Sequence, residues 1–274
     1  MKDFIKLLVA FTAIAIFSSC EKVIDLPVAD ATPHLVVEGN VFDGPGPFTV
    51  HLTRTASFYN SDPPPSVQGA HVRISDSVGN SEDLSEGANG IYTASALTGV
   101  PGRTYFLDVE SEGKTYTASN TMPEPDPIDS ITYEYLDSTD YAFLDTEDFG
   151  QYLTLYHTDP AGIDNFYQVR LYKNSELDKP HTTKNTYSDR LFDGLQRERR
   201  LLGHPFHPGD TVTVELWSID RAAYDFYTTL NSVSDNNGGG PFAGVPDNPI
   251  TNLTNGAYGF FGASAVTQST VVIQ

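Results

Sequence analysis

The chain has 274 residues, 39% hydrophobic and 19% charged, too long for one small sandwich and suited to two domains of ordinary size. Sixteen Phe, fifteen Tyr and one Trp supply the bulk of real cores and exclude wholesale disorder, while 22 Gly and 18 Pro favour turns over long helices. Sixteen Lys+Arg against 36 Asp+Glu leave a formal charge of −20, the wrong balance for a nucleic-acid binder or for a basic patch on an anionic membrane.

Lys2 and Lys6 open the chain, and residues 7–17 are apolar. That stretch is too short for a bilayer, which needs roughly twenty residues, and fits the apolar region of a secretory signal. Phe17-Ser18-Ser19-Cys20 follows, and Cys20 is the only cysteine. Small residues before a lone cysteine resemble a bacterial lipobox, with Phe17 where Leu is usual. The expectation is a signal peptide over 1–19, cleavage between Ser19 and Cys20, and lipid (palmitate among the acyl chains) on Cys20. Such a lipid anchors and does not span. Glu21, rather than an aspartate, follows the cysteine, which favours the outer membrane, cell surface or periplasmic face undecided. No disulfide is available to the mature chain.

Residues 20–33 read as a lipidated tether. Strand signals then come at short spacing between Gly/Pro/Asp clusters: 35–39, 48–53, 70–74, 90–94, 104–110 and 114–118, the last two flanking a hairpin loop that ends on Gly113. In 70–74, Ala70, Val72 and Ile74 share one face. This pattern predicts an immunoglobulin- or fibronectin-like β-sandwich over 34–122. Alternating prolines at 123–127 predict a stiff linker. A second β-rich domain is expected over 128–274, with strands at 128–135, 151–157, 166–172, 211–219 and 269–273, and with 173–200 a polar stretch. Residues 220–233 have helical spacing, with Ala223, Tyr227, Leu230 and Val233 on one face and Asp220 as N-cap. The fold class is therefore all-β, two sandwich domains, the second with one short helix.

No catalytic or cofactor signature is present: no G-x-S-x-G, no phosphate loop, no dinucleotide fingerprint, no H-E-x-x-H. The nine acidic residues and no basic ones between Glu124 and Asp148 read as a solvated face. His204-Pro205-Phe206-His207 reads as a turn rather than a zinc site, because Pro205 opposes a helix and no third ligand is evident. Asp159, Asp164 and Asn165 offer oxygen ligands without calcium-loop spacing. Trp217 is expected in core or interdomain packing, and the run 258–261 in tight backbone packing. Asp76-Ser77-Val78, Asp129-Ser130-Ile131, Asp137-Ser138-Thr139 and Asp210-Thr211-Val212 are similar to the Asp-Ser/Thr-apolar sites of Bacteroidota O-glycosylation, making Ser77, Ser130, Ser138 and Thr211 candidates. Catalytic, cofactor and metal residues are expected to be absent.

Cys20-Glu21-Lys22-Val23-Ile24-Asp25-Leu26, Val67-Gln68-Gly69-Ala70-His71-Val72, Gly102-Arg103-Thr104-Tyr105, Tyr224-Asp225-Phe226-Tyr227 and above all Asn255-Gly256-Ala257-Tyr258-Gly259-Phe260-Phe261-Gly262-Ala263 carry a resemblance. The chain resembles a Bacteroidota lipoprotein family defined by a domain of unknown function (4249). The resemblance implies an outer-membrane lipoprotein linked with TonB-dependent transporters and brings no catalytic residues. The expected function is a non-catalytic ligand-binding or accessory component of such a nutrient uptake system. Its expected partners are the membrane through its lipid, a transporter, and a small-molecule, glycan or peptide ligand. A surface hydrolase whose carboxylates meet only in the fold, and a structural surface protein or adhesin, stand as alternatives.

Overall fold

The computed structural model describes residues 32–56, 62–137, 149–178, 185–235 and 248–274, with backbone alone at 202–204 and 235. The signal, its cleavage site at Ser19 and Cys20, nearly all of the tether and Ser138 lie outside the described residues. The strands are β1 (Leu35–Phe42), β2 (Gly44–Pro45), β3 (Phe48–Arg54), β4 (His71–Asp76), β5 (Ser81–Asp83), β6 (Ser85–Glu86), β7 (Ile91–Ala94), β8 (Thr98–Gly99), β9 (Thr104–Ser111), β10 (Lys114–Thr121), β11 (Ile128–Leu136), β12 (Gly150–Thr158), β13 (Phe166–Lys173), β14 (Glu176–Leu177), β15 (Thr186–Ser188), β16 (Gln196–Phe206), β17 (Thr211–Ile219) and β18 (Tyr258–Val272). Among the described residues one α-helix, α1 (Arg221–Asp235), follows β17. Among the described residues no helix is long and apolar enough to cross a membrane.

The result is an all-β, sandwich-like fold with a short helix. A nine-stranded sheet runs β14-β13-β17-β18-β1-β3-β7-β6, with β15 on β13. The four-stranded sheet β10-β9-β4-β5 and the three-stranded sheet β11-β12-β16 each contribute buried side chains to a core shared with part of it. The first core joins Val37, Val50, Leu52 and Tyr92 of the large sheet to Val72, Ile74, Leu107 and Val109. The second joins Leu153, Leu155 and Leu201 to Val169, Leu171, Val214 and Leu216. Period-two alternation explains these choices: Leu35, Val37 and Val41 in β1, and Phe48, Val50 and Leu52 in β3, point one way and are buried.

β18 ties the two cores together. Its first half pairs in parallel with β1, from Val36↔Tyr258 to Phe42↔Ser264. Its second half pairs antiparallel with β17, from Ser218↔Ala265 to Thr211↔Val272. Asp43 holds the handover: its N–H donates to the Ser264 carbonyl at 3.3 Å and its carboxylate accepts from the Val266 N–H at 2.8 Å. The expected strand at 269–273 is thus the tail of a strand that starts at Tyr258. The 123–127 segment is pinned at Asp126, whose N–H donates to Ser218 Oγ at 3.1 Å and whose carbonyl accepts from the Thr267 hydroxyl at 2.7 Å.

The motif most specific to the family resemblance is part of this seam. Asn252 Nδ2 donates to the carbonyls of Ser119 (3.0 Å) and Phe261 (2.7 Å), while its Oδ1 accepts from the Phe261 N–H at 3.1 Å. Thr254 exchanges hydrogen bonds with the Thr117 backbone at 2.9 and 2.8 Å. The 252–255 loop therefore closes the free edge of β10, which would otherwise invite strand addition. Asn252→Ala leaves backbone groups on two strands without partners and should cost about 2–3 kcal/mol, read from the midpoint of urea unfolding.

β16 and Leu230 differ from expectation, whereas Trp217 is in core packing as expected. β16 begins inside the stretch read as polar; its inward positions 197 and 199 are arginines, which hide the apolar alternation of a strand. Trp217 lies on the face of β17 opposite Val214 and Leu216 and is still buried, because α1 covers that face with Ala223 beside Phe166, Ile219 and Phe260. Arg170 lies 3.3 Å from the Trp217 ring centre, Phe42 meets it edge-on at 4.8 Å, and its indole N–H donates to Glu215 at 2.8 Å. Asp220 caps α1, accepting from the Ala223 N–H at 2.8 Å. Leu230, expected on the buried face, is exposed.

Candidate functional site

The loop after β12, the loop between β15 and β16, and the first turn of α1 meet at one end of the large sheet. They enclose a cleft of about 550 Å³ lined by Asp164, Phe166, Asp189, Asp193, Arg221 and Tyr224. A second lobe of about 370 Å³, reaching Thr121 and Pro123, shares Asp164, Phe166 and Arg221 with the first. Phe166 and Tyr224 form the floor, ring centres 5.1 Å apart, with the Arg221 guanidinium 5.5 Å from the Phe166 ring. Arg221 is held by Asp225, one helical turn on, at 3.0 Å. An aromatic floor of two rings tilted 38° to each other, beside polar groups, suits a ligand with one apolar and one hydrogen-bonding face.

The rim is acidic. Asp159, Asp189 and Asp193 each offer an oxygen within 4.8 Å of the others. Each is already held by a backbone donor: Gly194 N–H to Asp159 at 3.0 Å, Asn165 N–H to Asp189 at 2.7 Å, and Gly162 N–H to Asp193 at 2.7 Å. Three carboxylates so close can surround a cation or accept from several donors of a ligand. Asp159 is the least available, since its other oxygen accepts from Tyr167 at 2.6 Å and it is only 2% exposed. The fold brings Asp159 to Asp189 and Asp193; Asp164 lines the same cleft, while Asn165 uses its N–H to hold Asp189.

Burial pushes the Asp189 carboxyl above its ordinary range; Asp159, Asp164 and Asp193 push the same way, against the Asn165 hydrogen bond. The charged form is therefore disfavoured in the fold. That cost is absent below the unfolded value near 3.8 and complete above the raised folded value. Asp189→Asn keeps an acceptor for Asn165 and removes the charge. It should raise the unfolding midpoint at pH 7 by about 2 °C, and the difference from the parent should vanish below pH about 3.5.

Beneath the rim lies a buried polar chain that sequence reasoning missed. His157 Nδ1 and Asp126 Oδ2 are 2.8 Å apart with the His157 side chain fully buried, and the Tyr187 hydroxyl and His157 Nε2 are 2.9 Å apart. The Tyr167 ring packs edge-on against His157 at 4.7 Å. Burial pushes the phenols of both Tyr167 and Tyr187 well up, reinforced at Tyr167 by the hydrogen bond to Asp159. A signal existed: His157 continues the period of Leu153 and Leu155, and a histidine on an apolar face needs a partner.

Of the candidate modification sites, Ser77 is exposed on the turn after β4, Ser130 is exposed beside a bulge in β11, and Thr211 is exposed at the start of β17. In three motifs the aspartate has a structural task, Asp129 accepting from the Thr158 hydroxyl at 2.8 Å and the Gln196 side-chain amide at 3.0 Å. Asp76 accepts from the N–H groups of Val78 and Asn80, and Asp210 accepts from that of His207. Phe261 is fully buried in the first core. Within the His-Pro-Phe-His run, Phe206 is buried and His207 turns outward, while the His204 side chain lies outside those described.

No curated protein matches the chain. Among solved structures it is similar to the adhesin InvE of Yersinia pseudotuberculosis, at 17% identity and a TM-score of 0.22, over 67% of this chain and 55% of that one. It thus spans little more than half the length of that relative. Residues 21–270 match the model described as a domain of unknown function, DUF4249. That span takes in the first core, nearly all of the second and of β18, and the cleft, and the chain belongs to the DUF4249 family.

Proposed function

We propose that this chain is a lipoprotein of the outer membrane in a Bacteroidota host, anchored through Cys20 and acting as a non-catalytic ligand-binding or accessory component of a TonB-dependent nutrient uptake system. The cleft carries the reading: an aromatic floor of Phe166 and Tyr224 under carboxylates already fixed by backbone donors is a binding surface. The lone cysteine after a short apolar stretch supports the anchor. Ser77, Ser130, Ser138 and Thr211 are proposed O-glycosylation sites, which intact-mass measurement of the native protein checks.

A hydrolase is the second reading, favoured by the approach of Asp189 to Asp193. It is the weaker one, because Asp159, the third carboxylate of the group, spends both oxygens on internal donors. The test is incubation of a lipid-free chain starting at Glu21 with glycan and peptide panels. The expected result is saturable binding without turnover, weakened about tenfold by Tyr224→Ala, on the scale of one lost aromatic contact. Turnover that disappears in Asp189→Asn would replace this reading with the hydrolase, and binding only to cells or matrix would replace it with an adhesin.

A further inference from the structure

β16 is an edge strand of its three-stranded sheet. Its register sets Arg197 opposite His157 and Arg199 opposite Leu155, and both of those side chains are fully buried. Directly opposed residues point to the same side of a sheet, so the two arginines share the inward face of β16. Glu198 between them points outward and is exposed.

Each guanidinium rests on a ring. Arg197 Cζ lies 5.1 Å from the Phe192 ring centre and Arg199 Cζ 4.3 Å from that of Tyr187, and the two rings are 6.1 Å apart. Arg199 also donates to Asn185 Oδ1 at 3.0 Å. Among the described residues neither arginine meets a carboxylate, and the Nε of each is buried without a partner. Both residues are half-buried as a whole. Burial pulls Arg199 below the ordinary arginine range, and Arg197 adds to this against the opposing effect of Tyr187. Inward-pointing charge on an edge strand does discourage strand addition. That purpose requires one charge, and neither a stacked pair nor an orienting amide.

A guanidinium offers its donors in a rigid plane that matches oxyanions through two parallel hydrogen bonds. Stacking on a ring fixes that plane and leaves its edge for a ligand. We propose that Arg197 and Arg199, with Asn185 orienting the second, form an oxyanion-recognition site that takes the carboxylate, sulfate or phosphate group of a ligand. The site is separate from the acidic cleft and stands whether or not the cleft binds anything.

The test uses the full-length chain in detergent, with thermal unfolding followed at constant ionic strength as sodium chloride is exchanged for sodium sulfate, phosphate or acetate. At least one of these should raise the midpoint saturably, by about 3 °C once the anion exceeds its dissociation constant about tenfold. A response to acetate marks a carboxylate ligand, and a response confined to sulfate or phosphate marks an ester. Arg197→Gln and Arg199→Gln should each abolish the rise. Should Arg199→Gln fail to fold, Arg197→Gln still reports, since among the described residues the Arg197 guanidinium has the Phe192 ring and no hydrogen-bonded side chain. An equal rise in the parent and in Arg197→Gln would be a general salt effect and would overturn the site, as would the absence of a saturable response to any of the three anions.

Discussion

Replacing Gly259 with alanine should cost at least about 4 kcal/mol and leave little folded protein at 37 °C. Gly259 lies where β18 runs alongside β1. A Cβ built there falls 2.0 Å from the Val37 carbonyl oxygen and 2.9 Å from its carbon. Both are backbone atoms of a core strand and neither can rotate away. The residue also sits at φ +92°, where a side chain adds steric cost of its own. Relief requires β1 and β18 to separate, and β18 belongs to both cores. Gly113→Ala is the control: its φ is +75° but nothing lies within 4 Å of the new Cβ, so it should cost only about 1–2 kcal/mol. Urea unfolding of both variants gives the comparison. Similar losses in the two would show that the close approach of β18 to β1 is not what requires a glycine at 259.

Asp126→Ala should destabilise the fold by about 3–5 kcal/mol, and His157→Leu by a similar amount. Each removes one partner from a buried hydrogen-bonded pair and strands the other away from water. His157 has no exposed side-chain surface and Asp126 is 2% exposed on that side chain. The loss of Asp126 leaves a ring nitrogen without its partner among Tyr167, Tyr187 and Phe192. The double variant Asp126→Leu/His157→Leu should lose markedly less than the sum of the single losses, because the pair is then replaced by apolar volume. Strict additivity would mean that the two side chains do not act as a unit.

The legible parts of the fold were those where neighbouring residues carry the signal. β1, β3, β9 and β17 alternate with period two, and α1 announces itself by Asp220 and by the spacing of Ala223 and Tyr227. β16 was hidden because Arg197 and Arg199 occupy inward positions that an apolar residue would normally mark, and rings distant in sequence make that tolerable. The unity of β18 was hidden because its glycine- and aromatic-rich first half lacks the alternation of a strand, although the tight backbone packing expected over 258–261 is present. Gly259 and Gly262 permit close approach, and a Cβ on Gly262 would lie 2.3 Å from Asn40 Oδ1. Asp159 and Asp164 were visible as acids without a ligand pattern; Asp189 and Asp193 reach them only through the pairing of β13 with β15 and the turn that follows. Asp126 was read as part of a proline-rich connection, and nothing local shows that its partner is His157 on the next strand but one in the chain's path through the second core.

The most direct measurement on the functional account is affinity purification of the tagged chain from gently solubilised native outer membranes, with Cys20→Ala as the control. The account predicts a TonB-dependent transporter in stoichiometric amount with the parent chain, and a Cys20→Ala chain that leaves the membrane fraction. A parent chain recovered alone, or a Cys20→Ala chain that stays with the membrane as the parent does, would contradict it.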